Sequence, residues 1–207
     1  MPITAKSGGT FTRILPPEDN HPARCIGLVH TGTITDEKYG TKKNLVRITW
    51  ELPMEKAVFK EGEDEKPFVI TKEYNLSLAD KATLRHHLEN WRGQKFTEKE
   101  LLGFNIDKLL KTTCMVQVVH GENTKGDKYA YVSSVSKLPK SISVPDAFNE
   151  IQYFSVDEFN PKVFATFPEW LQDKIKESEE YKKMFDQTPI GEEPDDEVET
   201  NGDDLPF

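Results

Sequence analysis

Between Val46 and Leu52 apolar and polar residues alternate without a break: Val46, Ile48, Trp50 and Leu52 share one parity, and Arg47, Thr49 and Glu51 the other. A two-residue period fits a half-buried β-strand and no helix, so this stretch fixes an element around which the rest must be arranged. Four other runs have strand character: "RCIGLVHTGTI" from Arg24, "PFVITKEYNL" from Pro67, "TCMVQVVH" from Thr113 and "KYAYVSSVSKL" from Lys128. In the second of these Phe68, Ile70 and Tyr74 share a parity that Lys72 interrupts. The lysine-rich loop "TDEKYGTKK" and the charged connector "PMEKAVFKEGEDEK" join the first three strands, and "GENTKGD" reads as a hairpin loop between the last two.

One helical pattern stands between the third and fourth strands. In "SLADKATLRHHLENWRG" Leu84, Leu88 and Trp91 are spaced by four and three, Ser77 and Asp80 form a candidate capping box, and Gly93 supplies a left-handed stop. The spacing predicts a helix over 78–92, followed by short helical turns in "TEKELLGF" and "NIDKLL". Three strands, a helix and two strands is the order of the five-stranded oligonucleotide/oligosaccharide-binding (OB) barrel, so the expected class is mainly β. Trp50 is then read as core, and Trp91 as burying the helix against the barrel.

Flanking segments differ in composition. The first twenty residues, with "SGG" and "LPPEDNHP", have loop character. Beyond residue 140 the chain is aromatic and irregular as far as "PEWLQDKIKESEEYKKMF", which reads as one helix with Trp170, Leu171, Ile175 and Phe185 as contact residues. This extension suits either a cap on the barrel or a contact in a homodimer. From Gln187 the composition of Gly, Pro and acid predicts disorder. The expected organisation is 1–140 as the barrel domain, 141–186 as an aromatic and helical extension, and 187–207 as a disordered acidic tail.

The net charge of −9 is unevenly spread. Residues 1–140 hold 22 Lys/Arg against 18 Asp/Glu, residues 141–186 hold 5 against 10, and residues 187–207 hold none against 8. A mildly basic body joined to a wholly acidic end points to an interaction tail. No apolar run approaches membrane-spanning length, and the start has no signal-peptide core, so a soluble cytoplasmic protein without a membrane partner is expected. Cys25 and Cys114 lack metal or disulfide spacing.

The last residues read "DDLPF", preceded by "EEPDDEVE". This ending closely resembles the acidic tip of bacterial single-stranded-DNA-binding proteins. The body is similar to phage-encoded versions, on "HPARCIGLVHTGT", "KATLRHHLENWRG" and "KYAYVSSVSKLPK" in corresponding order. The resemblance covers the five tip residues and about residues 20–140. It implies binding of single-stranded DNA without sequence preference. It also implies recruitment of replication, recombination and repair proteins through Asp203, Asp204, Leu205, Pro206 and Phe207, in a bacterial or phage-infected cell.

Holding a bare strand requires cations along the phosphates and flat rings beneath the bases. The residues that offer these are Tyr39, Lys42 and Lys43 in the first loop, Arg47 on the polar parity of the second strand, and Lys125, Lys128, Tyr129 and Tyr131 in the last hairpin. Two roles suit the tyrosine pair: stacking on bases, or packing beneath the segment after residue 140. Lys72 and Tyr74 are further candidates on a strand of mixed parity. Phe59 and Lys60 either form a DNA-grasping finger or stay tethered to the body.

Other activities find less support. Adjacent His86 and His87 lack the spacing of a metal-binding helix, and Gly121 and Gly126 have phosphate-loop separation with Asp127 where lysine is needed. No nucleophile stands with a base, and no metal or cofactor is called for. A metal-dependent DNA-processing enzyme is therefore the weaker alternative, and an OB-type adaptor for protein or RNA the stronger one.

Overall fold

The computed structural model describes residues 14–36 and 38–185. The chain is mainly β. Its elements are β1 (Asp19–Asp36), β2 (Thr41–Ala57), β3 (Lys66–Asn75), α1 (Thr83–Arg92), α2 (Glu98–Leu101), a 3₁₀ turn (Ile106–Leu109), β4 (Thr113–Glu122), β5 (Lys128–Ser136), β6 (Gln152–Ser155), a second 3₁₀ turn (Val156–Glu158), α3 (Pro161–Phe164), α4 (Glu169–Lys176) and α5 (Glu179–Phe185). Five strands form an antiparallel sheet in the order β3-β2-β1-β4-β5.

The long first strand organises this sheet. Its residues 19–24 pair with β4, and from Arg24 onward it pairs with β2. Register shifts at Cys25/Gly27 and His30/Gly32 bend it, as an extra residue on one side of a ladder does. The strand begins five residues earlier than the apolar run suggested, at Asp19. Pro22 is compatible with this because residues 19–23 have a ladder neighbour on one side only.

One face of the sheet encloses the core. Val46, Ile48, Trp50 and Leu52 of β2 meet Leu28, Val116, Val118 and Val132, and α1 covers them with Leu84, Leu88 and Trp91. The Trp91 indole lies 5.9 Å from that of Trp50 and donates to the Thr113 carbonyl, so its one polar atom is satisfied inside the core. Helix α1 starts at Thr83, not residue 78: Ser77 accepts from Ala79 N–H in a local turn and Asp80 pairs with Arg85, so the expected capping box is absent. The stop is as read, with Gly93 at φ 69°. Helix α2 does carry a capping box, between Thr97 and Glu100.

The expected barrel is not closed by hydrogen bonds. Strands β3 and β5 are the two ends of the hydrogen-bonded order, and what crosses between them is a side chain: Lys72 Nζ donates to the Val132 carbonyl at 2.6 Å. The interruption of apolar parity at Lys72 marks this seam.

The outer face of β1 is covered by the chain's own C-terminal extension. Strand β6, unforeseen in the sequence, pairs in parallel with Gly27–His30 along the edge that β4 leaves after Arg24. Val29, which points outward, then enters a second apolar cluster with Phe154, Val156, Phe167, Leu171 and Ile175. Burying side chains of this size contributes about 1.5–3 kcal/mol each. The expected single C-terminal helix is two. Buried Ser178 breaks it, donating to the Ile175 carbonyl and accepting from Tyr181 N–H, which starts α5 in a new direction. Among the described residues no helix is long and apolar enough to cross a membrane.

Candidate nucleic-acid interface

The β4–β5 hairpin turns on Asn123, whose side-chain oxygen accepts from Lys125 N–H and Asp127 N–H, with Gly126 at φ 84°. Lys125 and Lys128 leave this turn into solvent, and neither has an ion pair among the described residues. The alternation of β5 turns Val132 into the core and Tyr129 and Tyr131 outward, 41% and 39% exposed. The two rings lie 5.8 Å apart and tilted by 41°. Tyr129 rests on Gly121, its cross-strand partner, where a Cβ would come within 2.7 Å of the ring. The pair is therefore both exposed and supported, and the segment after residue 140 does not bury it.

In the β1–β2 loop Asp36 accepts from Lys38 N–H and Tyr39 N–H, and Lys38 sits 5.2 Å from the Tyr39 ring. Tyr39 is 69% exposed. Lys43 is exposed beside it, but Lys42 is held 2.5 Å from Glu179 of α5. That contact keeps the Glu179 carboxyl below its usual range.

On the outer face of β2, Arg47 does project as its parity predicts. Its guanidinium lies 3.6 Å from Glu73 and 4.7 Å from the centre of the Trp170 ring. Burial, opposed by Glu73, pulls its pKa below the ordinary arginine value. Lys174 contacts both Glu73 oxygens at 2.7 Å. Next along β2, Thr49 and Thr71 share a hydroxyl hydrogen bond of 2.9 Å. Glu51 follows, fully buried although it shares the polar parity. Its carboxylate accepts from Phe148 N–H at 2.9 Å and from Asn149 N–H and Nδ2 at 2.8 and 2.6 Å. A cleft of about 750 Å³ runs along this side, lined in part by Arg47, Val69, Thr71, Phe59, Lys66 and Asn149.

Tyr74 and Lys72 are placed otherwise than expected, and of the two readings of Phe59 the structure has the tethered one. Tyr74 is 4% exposed, its hydroxyl 2.8 Å from His87 Nδ1 and its ring edge-on to Trp50, so it is a core residue and not a stacking platform. Lys72 spans the β3–β5 seam, and burial lowers its pKa. Phe59 is tethered edge-to-face on Phe68 at 5.1 Å, while Lys60 and Lys66 both pair with Glu63. The connector from Lys60 to Lys66 sets four carboxylates against those two amines, which opposes a phosphate chain there. Asp203, Asp204, Leu205, Pro206 and Phe207 lie outside the described residues.

Two exposed rings were not among the nucleic-acid candidates: Trp170, which the sequence had suggested as a packing contact, and Phe148. Trp170 is 54% exposed and Phe148 64%. A signal for Trp170 existed, since Leu171 and Ile175 are spaced as one helical stripe and Trp170 falls outside it; Phe148 had none. Among the described residues no three His, Cys, Asp or Glu side chains are grouped to hold a metal ion. No protein-family model and no curated protein sequence matches the chain.

Proposed function

We propose that this protein binds single-stranded DNA without strong sequence preference, on the outer face of an OB-type sheet, and recruits replication, recombination or repair proteins through residues 203–207. The observation that carries the reading is the supported, solvent-facing pair Tyr129 and Tyr131 beside Lys125 and Lys128, which have no ion pair among the described residues. Rings present a flat surface to any base, and amines at the end of the same hairpin meet the phosphates, which is the chemistry sequence-independent binding requires. The strand order, with a helix between β3 and β4 and edges that approach at Lys72, supports an OB fold with an open seam. The exposed Tyr39 and Lys43 extend the cationic surface from the β1–β2 loop, a location such folds use.

The experiment is a titration against oligo-dT, duplex DNA and RNA at two ionic strengths. Preference for oligo-dT, weakened by salt, is expected. Stacking contributes about 1–3 kcal/mol per base, so replacing both tyrosines by alanine should weaken binding more than tenfold. Unchanged affinity returns the pair to a packing role, and indifference to oligo-dT at low salt refutes the reading. An RNA preference would favour the adaptor alternative. For the second half of the proposal, a chain ending at residue 202 should bind DNA as before but lose capture of replication and repair enzymes; retained capture refutes the role of the tip.

A further inference from the structure

We propose that the C-terminal extension builds a second base-stacking platform from Trp170 and Phe148, so that the segment covering β1 also belongs to the DNA-binding surface. This rests on the reading above and adds residues on the β2–β3 side of the sheet.

The argument begins with what α4 needs for packing. Leu171 and Ile175 are buried in the second apolar cluster and anchor the helix. Trp170 takes no part in that cluster and keeps 54% of its surface in water. Its position is nevertheless fixed, by the Arg47 guanidinium 4.7 Å from the ring centre. A large indole exposed but oriented in advance is a ready partner for a flat ligand, because little side-chain freedom remains to be lost on binding. Beside it Arg47 and Lys174 share the single carboxylate of Glu73, which among the described residues leaves one positive charge of that cluster uncompensated.

Phe148 is presented in the same manner from another element. The buried Glu51 carboxylate grips the backbone N–H groups of Phe148 and Asn149, and the Phe148 ring remains 64% exposed. Asn149 lines the cleft that Arg47 also lines. Between Arg47 and Asn149 the cleft is lined by Val69 and by Thr71, which is hydrogen-bonded to Thr49, side chains that are small and uncharged. Two oriented rings, a residual cation and a low, neutral floor match a chain of unpaired bases. The acid-rich connector at the Lys60–Lys66 end directs such a chain toward Trp170.

Tryptophan fluorescence of the full chain isolates the site, since Trp50 and Trp91 are 0% and 6% exposed and Trp170 is the accessible indole. Oligo-dT should quench the emission. Trp170→Phe should abolish that quenching and hold affinity within about threefold, whereas Trp170→Ala and Phe148→Ala should each weaken binding roughly 5- to 100-fold. Thermal unfolding matching the parent's excludes loss of α4 as the cause. If oligo-dT binds with no change in emission and Trp170→Ala binds like the parent, the platform is refuted while DNA binding stands. If the parent itself ignores oligo-dT, the underlying reading falls first. Quenching by an unrelated peptide at equal strength, with none by oligo-dT, would also overturn the proposal.

Discussion

Replacing Glu51 tests how the extension is fastened to the sheet. The carboxylate is fully buried and accepts three hydrogen bonds, one at Oε1 and two at Oε2, all from Phe148 and Asn149. Glutamine has nearly the same shape but turns one acceptor into a donor, so at least one N–H of the loop faces another N–H. Hydrogen bonds to charged groups contribute about 1.5–3 kcal/mol and a buried unpaired donor costs about 1–3. Some of that donor's loss is recoverable by water at the rim of the cleft. We expect Glu51→Gln to destabilise the fold by about 2 kcal/mol and Glu51→Ala, which removes all three acceptors, by about 4. In a chain of this size that corresponds to falls in Tm of roughly 4–8 °C and 8–16 °C. Urea unfolding followed by circular dichroism measures both. A glutamine variant within about 0.5 kcal/mol of the parent would show that the loop is held by its other contacts, and the reasoning would be wrong.

Two further outcomes follow from single sites. Gly32 has φ +88°, and a Cβ there would lie 2.6 Å from Glu180 Oε2 and 2.7 Å from Ser178 Cβ. Gly32→Ala should displace α5, break the Glu180 contacts to Thr33 and cost about 3 kcal/mol in thermal unfolding, an unshifted Tm arguing against that packing. The pKa of His87 falls from 6.5 to about 4, chiefly through burial and next through the Lys72 amine. Because the folded value is the lower one, the unfolded chain binds the extra proton between these limits. Stability should therefore be full above about pH 6.5, decline by about 3 kcal/mol toward pH 4, and lose that dependence in His87→Phe, as urea midpoints across the range will show. An equal slope in the variant would assign it to other groups.

The local elements were legible because their causes are local. Alternation in β2, the four-and-three spacing of α1 and the glycine stop at Gly93 are written in consecutive residues, and the structure contains them. Boundaries were less so: the Ser77–Asp80 signal was there, yet Asp80 was taken by Arg85 and the helix began later. The outward direction of Tyr129, Tyr131 and Arg47 also followed from parity alone. Parity names two faces but does not say what lies against each. That is why Glu51, on the polar side of β2, turned out as buried as Trp50 on the apolar side.

The sequence by itself determined a mainly β chain with one helix after its third strand, a charge that collects at its end, and which side chains of each strand share a face. Only the tertiary structure decided that Lys72 crosses an open seam, that Tyr74 belongs to the core with His87, and that β6 and α4 cover β1 while setting Trp170 on Arg47. The physical reason is range: periodicity and turn chemistry act over a few residues. Trp170, which packs on Arg47, and the loop that Glu51 holds lie roughly a hundred or more positions further on and meet them only when the chain folds back to bury a second apolar face.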